Sequence, residues 1–372
     1  MKITKELLTL NQDIAGQEIG IPVYYVNCGK DDAPTVYIQS AVHAAEMQGS
    51  AVIFQLLTFL PKLSINTNFI LVPNCNPFGR TQRAGEYLQG RFDATTGNNW
   101  NRFYHYDESL VTKFLNSLEG GESLNDKTNE KKIVSDFRLA LSKSIENLTK
   151  GEWGINTAQY LNHKLQSLAV KADLVIDLHT GPSSTRHIYS PDFLVEYAKR
   201  FNIENIISIP CKFAGALDEA SFIPWRLLQQ GLCEIGVEFK YGVKAFTVEL
   251  GSQENICLTQ ACEDMKGILN FLNTEGLVTG NPKIDANDLT VTALKNYKTL
   301  FSKHAGMVEY LAKAGDKVEK GQTIARVLNS LEFDNDRGLL EIKSPSSGIV
   351  ILHYPSAAVQ VGTQLYKIAT DA

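Results

Sequence analysis

An α/β fold is predicted for this chain: a mixed, mostly parallel sheet covered on both faces by helices over residues 1–280, then a small all-β barrel-sandwich domain over 281–372. Three observations predict it. Strand-length apolar runs recur without the polar alternation of a solvent-facing sheet, which is the pattern of strands buried on both faces. Helical patterns separate those runs. After residue 280 the chain changes to short β-rich pieces punctuated by glycine.

Thr35–Val42 is the first such run and leads straight into His43. A buried helix over Gly49–Leu60 follows and stops at Pro61, whose ring and missing N–H end a helix. Asn68–Asn74, Asp173–Thr180, Ile206–Ile209 and Phe246–Leu250 are the further strands, the last followed by Gly251 and a helix from about Leu258 to Leu272. Residues 105–170 interrupt this alternation. They hold no β-rich run; a polar stretch, Asn116–Lys132, precedes helical patterns at Ile133–Leu148 and Thr157–Val170. A helical insertion with a mobile loop is predicted there.

The C-terminal part carries a faint internal repeat. Gly306, Val318 and Gly321 recur as Gly348, Val359 and Gly362, at offsets of 42, 41 and 41. A unit of strand, glycine turn and strand, used twice, builds a small barrel with pseudo-twofold symmetry. Ala314–Val327 and Ile342–Val350 resemble biotinyl/lipoyl-type domains, which carry a modified lysine at a hairpin tip. Lys343 stands beside Ser344-Pro345, outside such a tip, so the domain is read as structural rather than as a swinging arm.

Composition narrows the function. With 372 residues, 44% hydrophobic and 21% charged, the chain is neither disordered nor collagenous nor a coiled coil. A formal charge of −5 supplies no global positive field, so no nucleic-acid partner is expected. The most apolar stretch, Ala51–Leu60, ends at Pro61, well short of the roughly 18 residues that span a bilayer. The N-terminus lacks the apolar core of a signal peptide, so no membrane partner is expected either. Six dispersed cysteines form no Cys-x-x-Cys, as thiols of a reducing compartment do. The expected location is the cytoplasm, and self-association into a homo-oligomer is left open.

The chemistry concentrates at strand ends. His43-Ala44-Ala45-Glu46 follows the first strand, and a His and a Glu three apart share one face of a turn or helix start, where both can ligate one ion. A catalytic zinc takes three protein ligands and keeps a fourth position for water. Asp177-Leu178-His179 ends another strand, at the edge where open α/β sheets bind ligands. His179 is therefore the third candidate ligand. Asp177, two residues earlier on the same strand face, is a candidate to orient that imidazole. Glu249 lies in the apolar Thr247-Val248-Glu249-Leu250 run. Burying an unpaired carboxylate there is costly, so it is either salt-bridged or a general base for a metal-activated water. Asn101-Arg102 lies in an Asn- and Gly-rich loop and suits recognition of a carboxylate. Arg80 and Arg83 lie in Asn76-Pro77-Phe78-Gly79-Arg80-Thr81-Gln82-Arg83, and Arg80 is read as a surface residue. The remaining histidines are read as packing or surface residues, with Arg186 and His187 close enough after the third-ligand strand to line a pocket.

Together, His43-x-x-Glu46, Asn74-x-Asn76-Pro77-x-Gly79, Asn101-Arg102, Asp177-Leu-His179 and Val248-Glu249-Leu-Gly251 resemble the zinc carboxypeptidase superfamily, and within it the succinylglutamate desuccinylase/aspartoacylase branch. The resemblance covers almost the whole chain. It implies an α/β/α zinc carboxypeptidase-like domain with a sheet of about eight strands and the metal at strand ends, followed by a β-rich C-terminal domain. It implies one Zn²⁺ per chain held by His43, Glu46 and His179, with Glu249 as base. Asn101 and Arg102 would hold the terminal carboxylate of the substrate, and Arg91 would polarise the scissile carbonyl. The sequence departs from the family at Ala44-Ala45, where many relatives have a Gly-polar pair. It also lacks a sure match to a late active-site tyrosine, for which Tyr241 is a weak candidate.

The expected function is zinc-dependent hydrolysis of an N-acyl amino acid or related small amide. A metallocarboxypeptidase acting on short peptides is the alternative within enzymes, and a non-catalytic carrier or binding module is the alternative of another class. A deacylase needs a closed pocket, and the 105–170 insertion or the C-terminal domain is placed to close it.

Overall fold

The structure is a computed structural model that describes residues 1–118, 127–280 and 282–370. Nine strands form the central sheet: β1 (Lys2–Gln12), β2 (Glu18–Asn27), β3 (Thr35–Ser40), β4 (Asn68–Val72), β5 (Leu174–Gly181), β6 (Arg186–Pro191), β7 (Asn205–Ile209), β8 (Lys244–Ser252) and β9 (Thr290–Ala293). Their spatial order is β1-β2-β4-β3-β5-β8-β6-β7-β9. β4, β3, β5 and β8 run parallel at the centre, β6-β7-β9 are parallel to one another, and antiparallel pairings join β8 to β6, β2 to β4 and β1 to β2.

The central strands read as unbroken apolar runs because each side chain meets a helix on its own face. On one face Tyr37, Val72, Val175 and Ala245 pack with Phe137, Leu165, Phe222 and Trp225. These come from α3 (Lys127–Thr149), α4 (Thr157–Ala169) and α5 (Leu217–Glu234). On the other, Val36, Ile38, Ile176 and Val248 pack with Val52, Leu56, Met265 and Leu272. Those helical residues belong to α1 (Gln48–Phe59) and α6 (Leu258–Thr274). α2 (Glu108–Ser117), capped by the Asp107 carboxylate on the Ser109 N–H, opens the 105–170 insertion.

The predicted elements are present within a few residues, and others join them. The β1–β2 hairpin and α2 are absent from the sequence prediction, because a half-exposed edge strand and a short polar helix carry little periodic signal. β6 and α5 are absent from it too; α5 contains Pro224, which argues against a helix when read locally. The polar stretch expected to be a mobile loop over 116–132 is helical at both ends, in α2 and α3; residues 119–126 lie outside the described residues.

The C-terminal barrel stacks two small sheets. One holds β10 (Tyr297–Phe301), β12 (Lys317–Val318), β15 (Gly348–His353) and β17 (Gln364–Thr370); the other holds β11 (Gly306–Tyr310), β13 (Thr323–Leu328), β14 (Leu339–Lys343) and β16 (Ala358–Val359). The internal repeat appears as exchanged pairing: Gly306 pairs with Val359, while its counterpart Gly348 pairs with Val318. Lys343 closes β14 opposite Thr323, and the connection 329–338 contains no lysine. The barrel is not detached. β9, beyond residue 280, completes the central sheet, Ser183–Ser184 pairs with β15, and Ile207 and Ile209 pack on Tyr297, Ile351 and Ala369.

Candidate metal centre and active site

The site forms where the central strands end, on the face covered by α3, α4 and α5. β3 stops at Ser40, and buried Ala41 takes a left-handed φ of 62°, a conformation that costs a non-glycine residue energy and clusters at functional sites. The chain then turns so that the Glu46 N–H donates to the His43 carbonyl at 3.0 Å. The Asn74-x-Asn76-Pro77-x-Gly79 motif braces this turn. Asn76 Nδ2 donates to the Val42 carbonyl at 2.8 Å while its Oδ1 accepts the N–H groups of Phe78 and Gly79.

Strand register supplies the rest. His179 on β5 lies beside Glu249 on β8, which lies beside His187 on β6. Directly paired residues share a sheet face, so the three side chains stand in one row. The next row on that face holds Gln39, Asp177, Thr247 and Tyr189.

Glu46 joins the two histidines. Its Oε1 is 3.0 Å from His43 Nδ1 and its Oε2 is 2.8 Å from His179 Nδ1. The Thr180 N–H adds a contact to Oε2 at 3.2 Å. All three residues are buried, and their candidate ligand atoms lie within 4.8 Å of one another. The outer nitrogens have polar neighbours: His43 Nε2 is 2.7 Å from Asn99 Oδ1, and His179 Nε2 is 2.9 Å from Asp177 Oδ2 and 3.1 Å from Asn101 Nδ2. The Asn99 acceptor at His43 Nε2 leaves that ring's Nδ1 lone pair facing inward, and His179 turns its Nδ1 toward the same group. Two imidazoles and a carboxylate with converged inner atoms are a donor set that suits zinc.

Asp177 is itself fixed. Gln39 Nε2 donates to its Oδ1 at 2.9 Å, and Tyr37 donates to Gln39 Oε1 at 2.8 Å. Burial alone would lower the His179 pKa, but the Asp177 and Glu46 carboxylates outweigh it and hold it well above the usual range. His43, with Asn99 in place of a carboxylate on its outer nitrogen, is lowered by burial. Glu46 is lowered, because the two histidines overcome the penalty of its own burial.

The other predicted residues gather around this group. The Glu249 carboxyl is pushed up to about 7, first by burial and then by the Glu46 charge, and its buried Oε2 has no hydrogen-bond partner among the described residues. Arg91 Nη1 donates to Glu46 Oε1 at 2.9 Å. The side-chain amide of buried Asn101 lies 3.1 Å from His179 Nε2, so it faces the same cluster. Arg102 is half-buried, its pKa lowered by burial and by Arg91, and its Nη1 donates to the Asn101 carbonyl. Arg80 and Arg83 are exposed. Arg186 and His187 divide: His187 joins the row beside Glu249, whereas Arg186 pairs with Asp264 and Glu204.

Tyr241 does not belong to the site. It bonds Asp173 and Arg138, at the opposite end of β5, because the strand that follows it runs back across the sheet before reaching the site. Tyr189 and Tyr297 are the tyrosines whose surroundings include Glu249, and their hydroxyls are 3.3 Å apart. Lys367 of β17 also feels Glu249 and Arg91, with its pKa lowered by burial. Asn99, Gln39, Tyr189, Tyr297 and Lys367 are not among the site residues predicted from sequence. Nothing local marks them; only the assembled sheet and barrel bring them in.

Comparison with known proteins gives a consistent picture. The family model of the succinylglutamate desuccinylase/aspartoacylase catalytic domain matches residues 32–274. No curated protein matches the chain. A provisionally named succinylglutamate desuccinylase/aspartoacylase from Shewanella frigidimarina is 35% identical, covers 100% of this chain and 98% of its own, and superposes with a TM-score of 0.94. A family protein from Shewanella amazonensis is 37% identical over 99% and 98% of the two chains, with a TM-score of 0.91. The product-bound ectoine utilization protein EutE (DoeB) from Ruegeria pomeroyi shares the fold at 17% identity, over 99% of this chain and 95% of its own, with a TM-score of 0.67.

Proposed function

The chain belongs to the succinylglutamate desuccinylase/aspartoacylase family, and we propose that it is a zinc-dependent amidohydrolase cleaving a small N-acyl amino acid into a carboxylate and a free amine. The observation that carries this reading is Glu249: an elevated carboxyl with a free buried oxygen, in register beside His179.

His43, Glu46 and His179 would hold the zinc. When bound, zinc supplies a Lewis acid that acidifies water and polarises a carbonyl. Glu249 then accepts a proton from the attacking water at its carboxylate and returns it to the leaving amine nitrogen. Arg91, already directed at the ligand group by its contact with Glu46, would stabilise charge developing on the carbonyl oxygen. Arg102 would bind the carboxylate of the amino-acid portion, with Asn101 fixing the loop against His179. Tyr189 of the central sheet and Tyr297 and Lys367 of the barrel lie near Glu249, which favours a small amide over a peptide as substrate.

The test is metal content by elemental analysis, on protein purified without chelator or a metal-affinity column, alongside His179→Ala. About one zinc per chain, lost in the variant, is expected from a three-ligand site. N-acyl amino acids and short peptides are then compared as substrates. A wild-type protein that takes up no zinc after metal addition and dialysis would sink the reading.

A further inference from the structure

Arg102 sits on a backbone that its own sequence does not favour. The next residue, Phe103, takes a left-handed φ of 64° with its ring exposed, a conformation that is a genuine outlier for a bulky side chain. Arg102 forms no ion pair among the described residues, although its guanidinium is half-buried and stands near Arg91, Glu219 and Asp218. Something must hold this cation toward the site.

One helix does so from behind. Asn162 Nδ2 donates to the Arg102 carbonyl. Gln166 takes both groups of His105: its Oε1 accepts the His105 N–H at 2.9 Å, and its Nε2 donates to the His105 carbonyl. Asn162 and Gln166 lie one turn apart on α4, and both are buried among Leu161, Leu165 and Leu168. Buried amides are costly unless paired. Here Gln166 is paired through both its oxygen and its nitrogen, and Asn162 through its nitrogen, with the two ends of the strained segment, while Asn162 Oδ1 has no hydrogen-bond partner among the described residues.

We propose that Asn162 and Gln166 are positioning residues for the substrate carboxylate, clamping residues 102–105 so that Arg102 stays turned into the site. This rests on the amidohydrolase reading, and it gives the helical insertion a part in binding, because α4 sets the anion-binding end of the pocket. The clamp acts on binding of the carboxylate and not on proton transfer by Glu249.

The experiment uses the zinc-loaded full chain and four variants. Asn162→Asp keeps size but loses the donor. Gln166→Glu keeps the acceptor and loses the donor. Gln166→Leu removes both, and Lys164→Ala, on the outer side of α4, is the control. Each is assayed with the best substrate of an N-acetyl amino acid panel and with its α-carboxamide. The clamp variants are expected to raise KM for the acid about 10-fold or more, with kcat within about threefold, as loss of uniform binding does. Their preference for the acid over the carboxamide should shrink, zinc content should hold, and Lys164→Ala should match wild type. Unchanged KM in folded Asn162→Asp and Gln166→Glu overturns the proposal. So does an equal loss of rate on acid and carboxamide accompanied by loss of zinc, which marks a packing role. If the wild type binds N-acetyl amino acids by calorimetry without cleaving them, the amidohydrolase reading fails, and the same comparison is made on Kd. A wild type that neither cleaves nor binds them overturns both.

Discussion

Glu249 shows how neighbours set a residue's chemistry. Burial and the Glu46 charge push its carboxyl up to about 7, within reach of neutral pH, where a general base works best. A base acts in its ionised form, so kcat/KM falls as pH drops through that pKa. A bound dication works against that rise, so the acid limb is expected at or below about pH 7. Glu249→Gln should cost about 100-fold or more in kcat and leave zinc content unchanged; retained activity with the limb in place would assign the base elsewhere. Phe103 is the complementary case. Its left-handed backbone costs about 1–3 kcal/mol, and the three α4 hydrogen bonds, at about 1 kcal/mol net each, are enough to offset it. His43, Glu46, His179 and Glu249 are legible in the sequence because each sits at the end of an apolar run, where a polar residue is out of place. Asn162 and Gln166 are not, since an amide in an amphipathic helix looks like any surface position.

At the level of elements, the site depends on how closely α1 approaches the sheet. Gly49, in the first turn of α1, leaves room for Ser40 and Leu178: a Cβ there would meet Ser40 Oγ at 2.4 Å and Leu178 Cβ at 2.6 Å. Both contacts are with buried strand residues beside His43 and His179. Gly49→Ala should therefore destabilise the protein by about 1–3 kcal/mol, the usual result of overpacking. It should also weaken zinc retention, by shifting the turn that carries Glu46. A thermal melt with metal analysis checks both; a variant of wild-type stability would show that α1 shifts outward freely. The strands of the sheet centre and α1 are readable from apolar periodicity. β6 and α5 are not, although β6 brings His187 and Tyr189 to Glu249, because Pro224 and a short, mixed strand blur the local signal.

Across the whole molecule, the barrel and the α/β domain share structure. β9 lies past residue 280 and pairs with β7, Tyr297 and Ala369 cover Ile207 and Ile209, and Lys367 reaches the charges of the site. A chain cut at residue 280 loses an edge strand and exposes buried apolar side chains, each worth about 1.5–3 kcal/mol when fully covered. It is expected to express insolubly or melt far below the full chain. A soluble fragment with an unchanged melting temperature would show that the barrel is an independent appendage.

The α/β class, the β-rich C-terminal region, the proposed metal ligands and the proposed base are all written locally in the order of residues, as apolar runs of strand length, short glycine-punctuated β pieces and charged residues placed where apolar runs end. The tyrosines, the lysine and the amides that complete the site are not. They come together through strand order, register and the exchanged pairing of the barrel, which join residues more than a hundred positions apart. No local pattern records the partner that a buried polar atom will find, because that partner is set by the packing of elements whose sequences are independent of it.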